Sequence, residues 1–190
     1  MRRFAVSVFV ASLALVGARS STGIAQDATP AAAPNVTVGQ LAPIGEPFQA
    51  GPGVELEFLG EGQTDQASGQ NLVLYRVIFD GGEFPGHIHP GATVLTVESG
   101  TFGWTLLTGT VTVLRPGTPP EEVTEPGTEL VLSPGQGLAY NADVVHSARD
   151  VGDEPAVVLA TSLFETGQPF VTMTDDQGAP MAMDAATPAP

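Results

Sequence analysis

The sequence predicts an all-β fold, a small sandwich or barrel of short strands. Gly (23) and Pro (17) supply 40 of the 190 residues, while charged residues are only 14%, a balance that belongs to turn-dense β proteins rather than helical bundles. Short apolar runs follow one another through the middle of the chain, each closed by a turn containing Gly or Pro. No stretch sustains the 3.6-residue apolar period of an amphipathic helix. At 42% hydrophobic content the 190 residues suffice for one core and leave no room for two ordinary domains.

Each segment follows from local chemistry. Arg2 and Arg3 precede a short apolar run, Phe4 to Val16, and Gly23-Ile24-Ala25 then offers small residues for cleavage. This is the pattern of a secretory signal peptide over 1–25, cut near Ala25, and it implies a secreted or extracytoplasmic protein. The run is shorter than the about 20 apolar residues of a membrane-spanning helix. Residues 26–47 read as a linker, Pro- and Ala-rich at 27–34, with an N-terminal strand toward its end. The barrel is assigned to 48–165. Strands are expected at Val54–Leu59, Leu72–Phe79, Thr93–Val97, Phe102–Leu107, Thr110–Leu114, Glu129–Leu132, Gly137–Tyr140 and Ala156–Phe164. Turns at Asp80-Gly81-Gly82, Ser99-Gly100, Thr108-Gly109, Pro116-Gly117 and Pro134-Gly135 separate them. Residues 115–129 read as one long polar loop. Residues 166–190 read as a C-terminal tail, Ala/Pro-rich and disordered at its end.

Composition excludes several chemistries. With no Cys, disulfides, thiolate nucleophiles and Cys-ligated metal sites are absent. There is no Lys either, since the six basic residues are Arg2, Arg3, Arg19, Arg76, Arg115 and Arg149, so Schiff-base chemistry is out. Removal of the leader leaves three arginines against 21 carboxylates, a net charge of −18. Such a surface repels nucleic acid and anionic lipid. The expected partner is a small-molecule ligand, with no nucleic acid and, after signal cleavage, no membrane.

The three histidines of the chain are His87, His89 and His146. Two residues apart on a strand, His87 and His89 face the same side. Two imidazoles there and a third from elsewhere make a three-nitrogen face with open coordination positions. The spacing around them is distinctive. Gly81, His87, His89, Thr93 and Gly100 are separated by five, one, three and six residues. Gly135, Asn141, Asp143, His146 and Asp150 are separated by five, one, two and three.

In this order and at these spacings the two segments resemble the two motifs of the cupin superfamily, over roughly residues 48–165. The resemblance implies a double-stranded β-helix barrel, jelly-roll-like, with a metal inside and flexible N- and C-terminal tails outside. It also implies a single-domain cupin, and a homodimer as the usual assembly. Thr93 stands where the family places a Glu ligand, and Asn141, Asp143 and Asp150 replace other motif residues. The resemblance therefore assigns the metal to His87, His89 and His146 alone. A neutral three-His site suits Fe, Zn, Mn, Cu or Ni, and spacing does not choose among them.

Thr93 shares the parity of the two histidines and is expected to face inward. Thr93, Tyr140, Arg76 and Trp104 are candidate pocket residues: Tyr140 as a phenol, Trp104 as a wall, and Arg76 as an anchor for an anionic substrate. Glu98 is out of phase and expected at the surface, as is Arg149. Two function classes follow. One is a metal-dependent, dioxygenase-like oxidoreductase or other small-molecule metalloenzyme. The other is a non-catalytic barrel that binds a small ligand or a metal as sensor, carrier or scaffold.

Overall fold

The computed structural model describes residues 36–41, 43–175 and 177–181, so the expected leader and the end of the C-terminal tail lie outside the described residues. The described chain is all-β, in two antiparallel sheets. Its strands are β1 (Phe48–Gly51), β2 (Val54–Gln63), β3 (Gln70–Phe79), β4 (Glu83–Ile88), β5 (Gly91–Ser99), β6 (Phe102–Thr108) and β7 (Val111–Leu114). They continue with β8 (Glu121–Val123), β9 (Glu129–Leu132), β10 (Gly137–Tyr140), β11 (Val145–Asp150), β12 (Ala156–Glu165) and β13 (Thr172–Met173). The larger sheet has the order β1-β2-β3-β12-β5-β10-β7-β8, and the smaller has β13-β4-β11-β6-β9. Among the described residues no helix is long and apolar enough to cross a membrane.

All eight expected strands form. The sequence pattern missed β4 and β11 because their residues are not strand-like: Pro85 and Gly86 interrupt β4, and β11 carries His146, Arg149 and Asp150. Two other expectations need correction. The 115–129 segment is not all loop, because Glu121–Val123 pairs with β7 at the sheet edge. The 166–190 tail is not all tail, because Phe170 is buried in the core and β13 pairs with β4. Its short apolar stretch, Phe170 to Met173, leaves water for the open side of the smaller sheet.

The period of two is clean where the core needs it. Val54, Leu56 and Phe58 of β2 point inward, as do Ala156, Val158, Ala160, Ser162 and Phe164 of β12. Register aligns these positions into rungs. Val73, Ser162, Thr93, Tyr140 and Val111 are successive partners across β3, β12, β5, β10 and β7, and all are buried. Thr93 thus lies between Ser162 and Tyr140 on the inner face. The Glu98 side chain takes the opposite parity and lies exposed.

Turn chemistry fixes the corners. Gly100, between β5 and β6, has φ +72°, and a Cβ there would lie 2.4 Å from the Pro155 carbonyl oxygen. Only glycine meets both the left-handed backbone and the close approach.

Candidate metal centre

The three histidines converge inside the barrel. β4 and β11 pair directly, with His87 opposite His146. His89 follows the end of β4 with the same inward parity, and all three imidazoles are buried. The pairings of β11 with both β4 and β6 shift register next to His146, the kind of irregularity that re-aims a side chain. Ring centroids are 4.2 Å apart for His87 and His146, 5.0 Å for His87 and His89, and 5.5 Å for His89 and His146. One ring nitrogen from each lies within 4.8 Å of the others.

The backbone sets the tautomers. Nδ1–H of His87 donates to the Pro85 carbonyl at 2.7 Å, that of His89 to the Phe170 carbonyl at 2.9 Å, and that of His146 to the Val144 carbonyl at 3.3 Å. With Nδ1 protonated in each ring, Nε2 keeps the free lone pair, the arrangement a metal-ligating histidine needs. Burial holds the rings neutral. It pushes His87 down to about 3, with the nearby His89 adding to the effect and the Pro85 carbonyl opposing it. Burial likewise pushes His89 down to about 4, against the Phe170 carbonyl. His146 is pushed well below its ordinary value by burial and then by its two neighbours. Three neutral nitrogen donors in a dry site fit a divalent transition metal. No carboxylate joins the group among the described residues.

Thr93 is buried on the inner face, in register with Tyr140. Its hydroxyl pairs with Ser162 Oγ at 2.8 Å, and Ser162 pairs in turn with the Tyr75 hydroxyl at 3.2 Å. The Tyr140 hydroxyl donates to Nε2 of His146 at 3.4 Å. Both tyrosines remain protonated phenols, because burial pushes Tyr75 up to about 12 and Tyr140 well above its ordinary value. Trp104 stacks on His146 with centroids 4.9 Å apart at 21°. Of the four candidate pocket residues, Tyr140 and Trp104 contact His146, and Thr93 shares the inner-face rung with Tyr140.

Arg76 does not. Its parity on β3 places it on the outer face, where it pairs with Glu57 at 2.8 Å and Glu98 at 2.7 Å. The reading of Arg76 as an internal anchor is corrected: its counter-charges sit across neighbouring strands at the half-exposed surface, and a guanidinium inside would have lacked them. Arg149 is also at the surface, paired with Glu129.

Phe164, Phe170, Tyr75 and Ser162 were missed by sequence reasoning. Phe164 stacks on His89 at 5.4 Å and 11°, and Phe170 packs edge-on to the same ring at 5.5 Å. Ser162 carried a faint signal, a small polar residue at an inward position of an apolar alternating run.

The two histidine segments, 59 positions apart in sequence between His87 and His146, thus meet on paired strands inside a two-sheet antiparallel barrel, in the order the cupin motifs require. This is the placement that the resemblance to the cupin motifs implies.

No protein-family model matches this chain, and no curated protein does. Solved structures similar to it include KdgF from Halomonas sp., at 18% identity and TM-score 0.43, covering 62% of this chain and 84% of that one. Bacillus subtilis oxalate decarboxylase is similar at 17% identity and TM-score 0.43, over 67% of this chain but only 29% of its own length. An oxalate oxidase in complex with the substrate analogue glycolate is similar at 18% identity and TM-score 0.43, over 64% and 55% of the two chains.

Proposed function

We propose that this chain is an exported single-domain cupin that binds a divalent transition metal through Nε2 of His87, His89 and His146, leaving coordination positions open toward the barrel interior for a small molecule. One observation carries the reading: three buried imidazoles each donate Nδ1–H to a main-chain carbonyl, which frees three Nε2 lone pairs in one dry place. A bound metal supplies Lewis acidity or a seat for an oxygen ligand. The protein's own part is to hold the rings, exclude water with Phe164 and Phe170, and keep Tyr140 protonated as a donor. Export rests on the Arg2-Arg3 and Phe4–Val16 pattern and suits a cysteine-free chain whose net charge becomes −18 once the leader is removed.

A dioxygenase-like oxidoreductase is the first catalytic form of this reading. The non-catalytic form, a sensor, carrier or scaffold, draws support from Thr93, whose hydroxyl is engaged with Ser162 where a carboxylate ligand would stand. Metal content of the mature protein, measured by mass spectrometry beside His87→Ala, tests the shared core. About one equivalent of a transition metal, lost in the variant, is expected. A wild-type protein that stays empty after metal is supplied overturns it. If iron is bound, oxygen uptake separates the catalytic form from the binding form.

A further inference from the structure

Beside the histidines the barrel is hollow. Two cavities of about 50 Å³ each share Tyr75, Val77, Phe79 and Ala148 in their walls, so they are adjoining halves of one interior space. One half reaches His87 and His89, the other His146. With about 10–15 Å³ needed per water, each half holds a few waters or part of a small organic molecule. Every other wall residue is apolar or aromatic, and no charged side chain lines either half. The cationic side chains among the described residues, Arg76, Arg115 and Arg149, are all committed to glutamates at the surface.

Two residues that line this space carry donors short of acceptors. Trp104 Nε1–H is buried without a partner. The Tyr140 hydroxyl donates to Nε2 of His146, the lone pair that a metal would take. The Tyr75 hydroxyl, by contrast, is already engaged with Ser162. A buried donor without an acceptor is costly and selects a ligand that brings one. Without metal, a carboxylate would bury its charge in a space that no cationic side chain lines.

We propose that the hollow receives a small uncharged molecule bearing a carbonyl-type oxygen, with its lone pairs toward the metal and the Tyr140 and Trp104 donors and its apolar body against Tyr75, Val77, Phe79 and Ala148. The seat of the oxygen and the release of the Tyr140 hydroxyl rest on the metal-binding reading; the apolar hollow and the Trp104 donor stand without it.

Saturation-transfer NMR with 2-butanone and with succinate, on zinc-loaded and metal-free mature protein, tests it. The 2-butanone signal is expected with both forms, stronger with zinc, and succinate is expected to give none with the metal-free form, where no cation compensates its charge. Ala148→Leu, which fills the shared wall, abolishes the signal. Tyr140→Phe and Trp104→Phe, read by the same titration, each weaken it by roughly threefold to tenfold, the range of one hydrogen bond. Competition by succinate on the metal-free protein, or a 2-butanone signal indifferent to all three substitutions, overturns the proposal. If zinc binds and 2-butanone gives no signal, this inference fails and the metal reading stands. If zinc does not bind but an Ala148-dependent signal persists, the metal reading fails and the assignment of the hollow stands.

Discussion

Acidification should unfold the metal-free protein through its own histidines. The perturbation is a fall from about pH 7.5 to about pH 5. His87 and His89 titrate near 6.5 in the unfolded chain, but burial lowers them to about 3 and about 4 in the fold. A group with a depressed folded pKa binds more protons when unfolded. Its contribution to stability is complete above the unfolded value and is lost as pH falls through 6.5 toward the folded value. At about pH 5 each of these two rings has given up about 2 kcal/mol, and the pair about 4 kcal/mol. The figure is insensitive to the folded value, because at this pH both buried rings are still neutral and only the unfolded chain is gaining protons. His146 acts in the same direction. Against a typical stability of about 5–15 kcal/mol this is a large fraction.

Urea unfolding of metal-free protein at several pH values, followed by Trp104 emission, measures the slope. His87→Asn isolates one ring: its amide keeps the bond to the Pro85 carbonyl but takes no charge, so the difference in slope removes whatever the carboxylates contribute. Over this range the variant's stability should fall by about 2 kcal/mol less than that of the wild type. Identical slopes would refute the argument that His87 is buried neutral.

Other substitutions bear on the same architecture. Thr93→Glu should lower the melting temperature of the metal-free protein, by breaking the Thr93–Ser162 bond and burying a carboxylate, and should raise affinity for divalent metal; calorimetry with and without zinc checks both directions. Phe170→Ala should cost about 3–5 kcal/mol, because Phe170 packs on Phe58, Tyr75, Phe164 and His89, and metal titration should show weaker retention. Arg76→Ala should cost no more than about 1 kcal/mol, since its two ion pairs lie at a partly exposed surface, and metal content should be unchanged; loss of metal would return Arg76 to the interior.

Much of the fold was legible because its signals are local. A β2 or β12 strand needs alternation and a closing turn, and both are written in consecutive residues. The histidines were legible for a related reason: His87 and His89 share a face by parity, and the motif spacing ties them to His146. β4 and β11 were not legible as strands, because Pro85, Gly86 and a run of polar residues hide the period that burial on one side still imposes. Arg76 was misplaced because an apolar run reads as buried on both faces, whereas Glu57 of β2 and Glu98 of β5 hold it outside. Phe170 was invisible because nothing in its neighbourhood says that a segment beyond the last long strand returns to cover His89.

By itself the sequence determined an all-β sandwich or barrel, the absence of thiol and lysine chemistry, and three histidines as the chain's only imidazole ligands. Those follow from composition, from the two-residue period and from spacing, which are properties of neighbours along the chain. Only the tertiary structure decided the tautomer of each imidazole, the Thr93–Ser162–Tyr75 hydroxyl chain and the cation-free hollow beside the site. The pairing of Thr93 with Ser162 joins strands 69 residues apart, and the bond from His89 to Phe170 spans 81. Contacts of that kind are set by strand register and by the packing of two sheets, which no local pattern encodes.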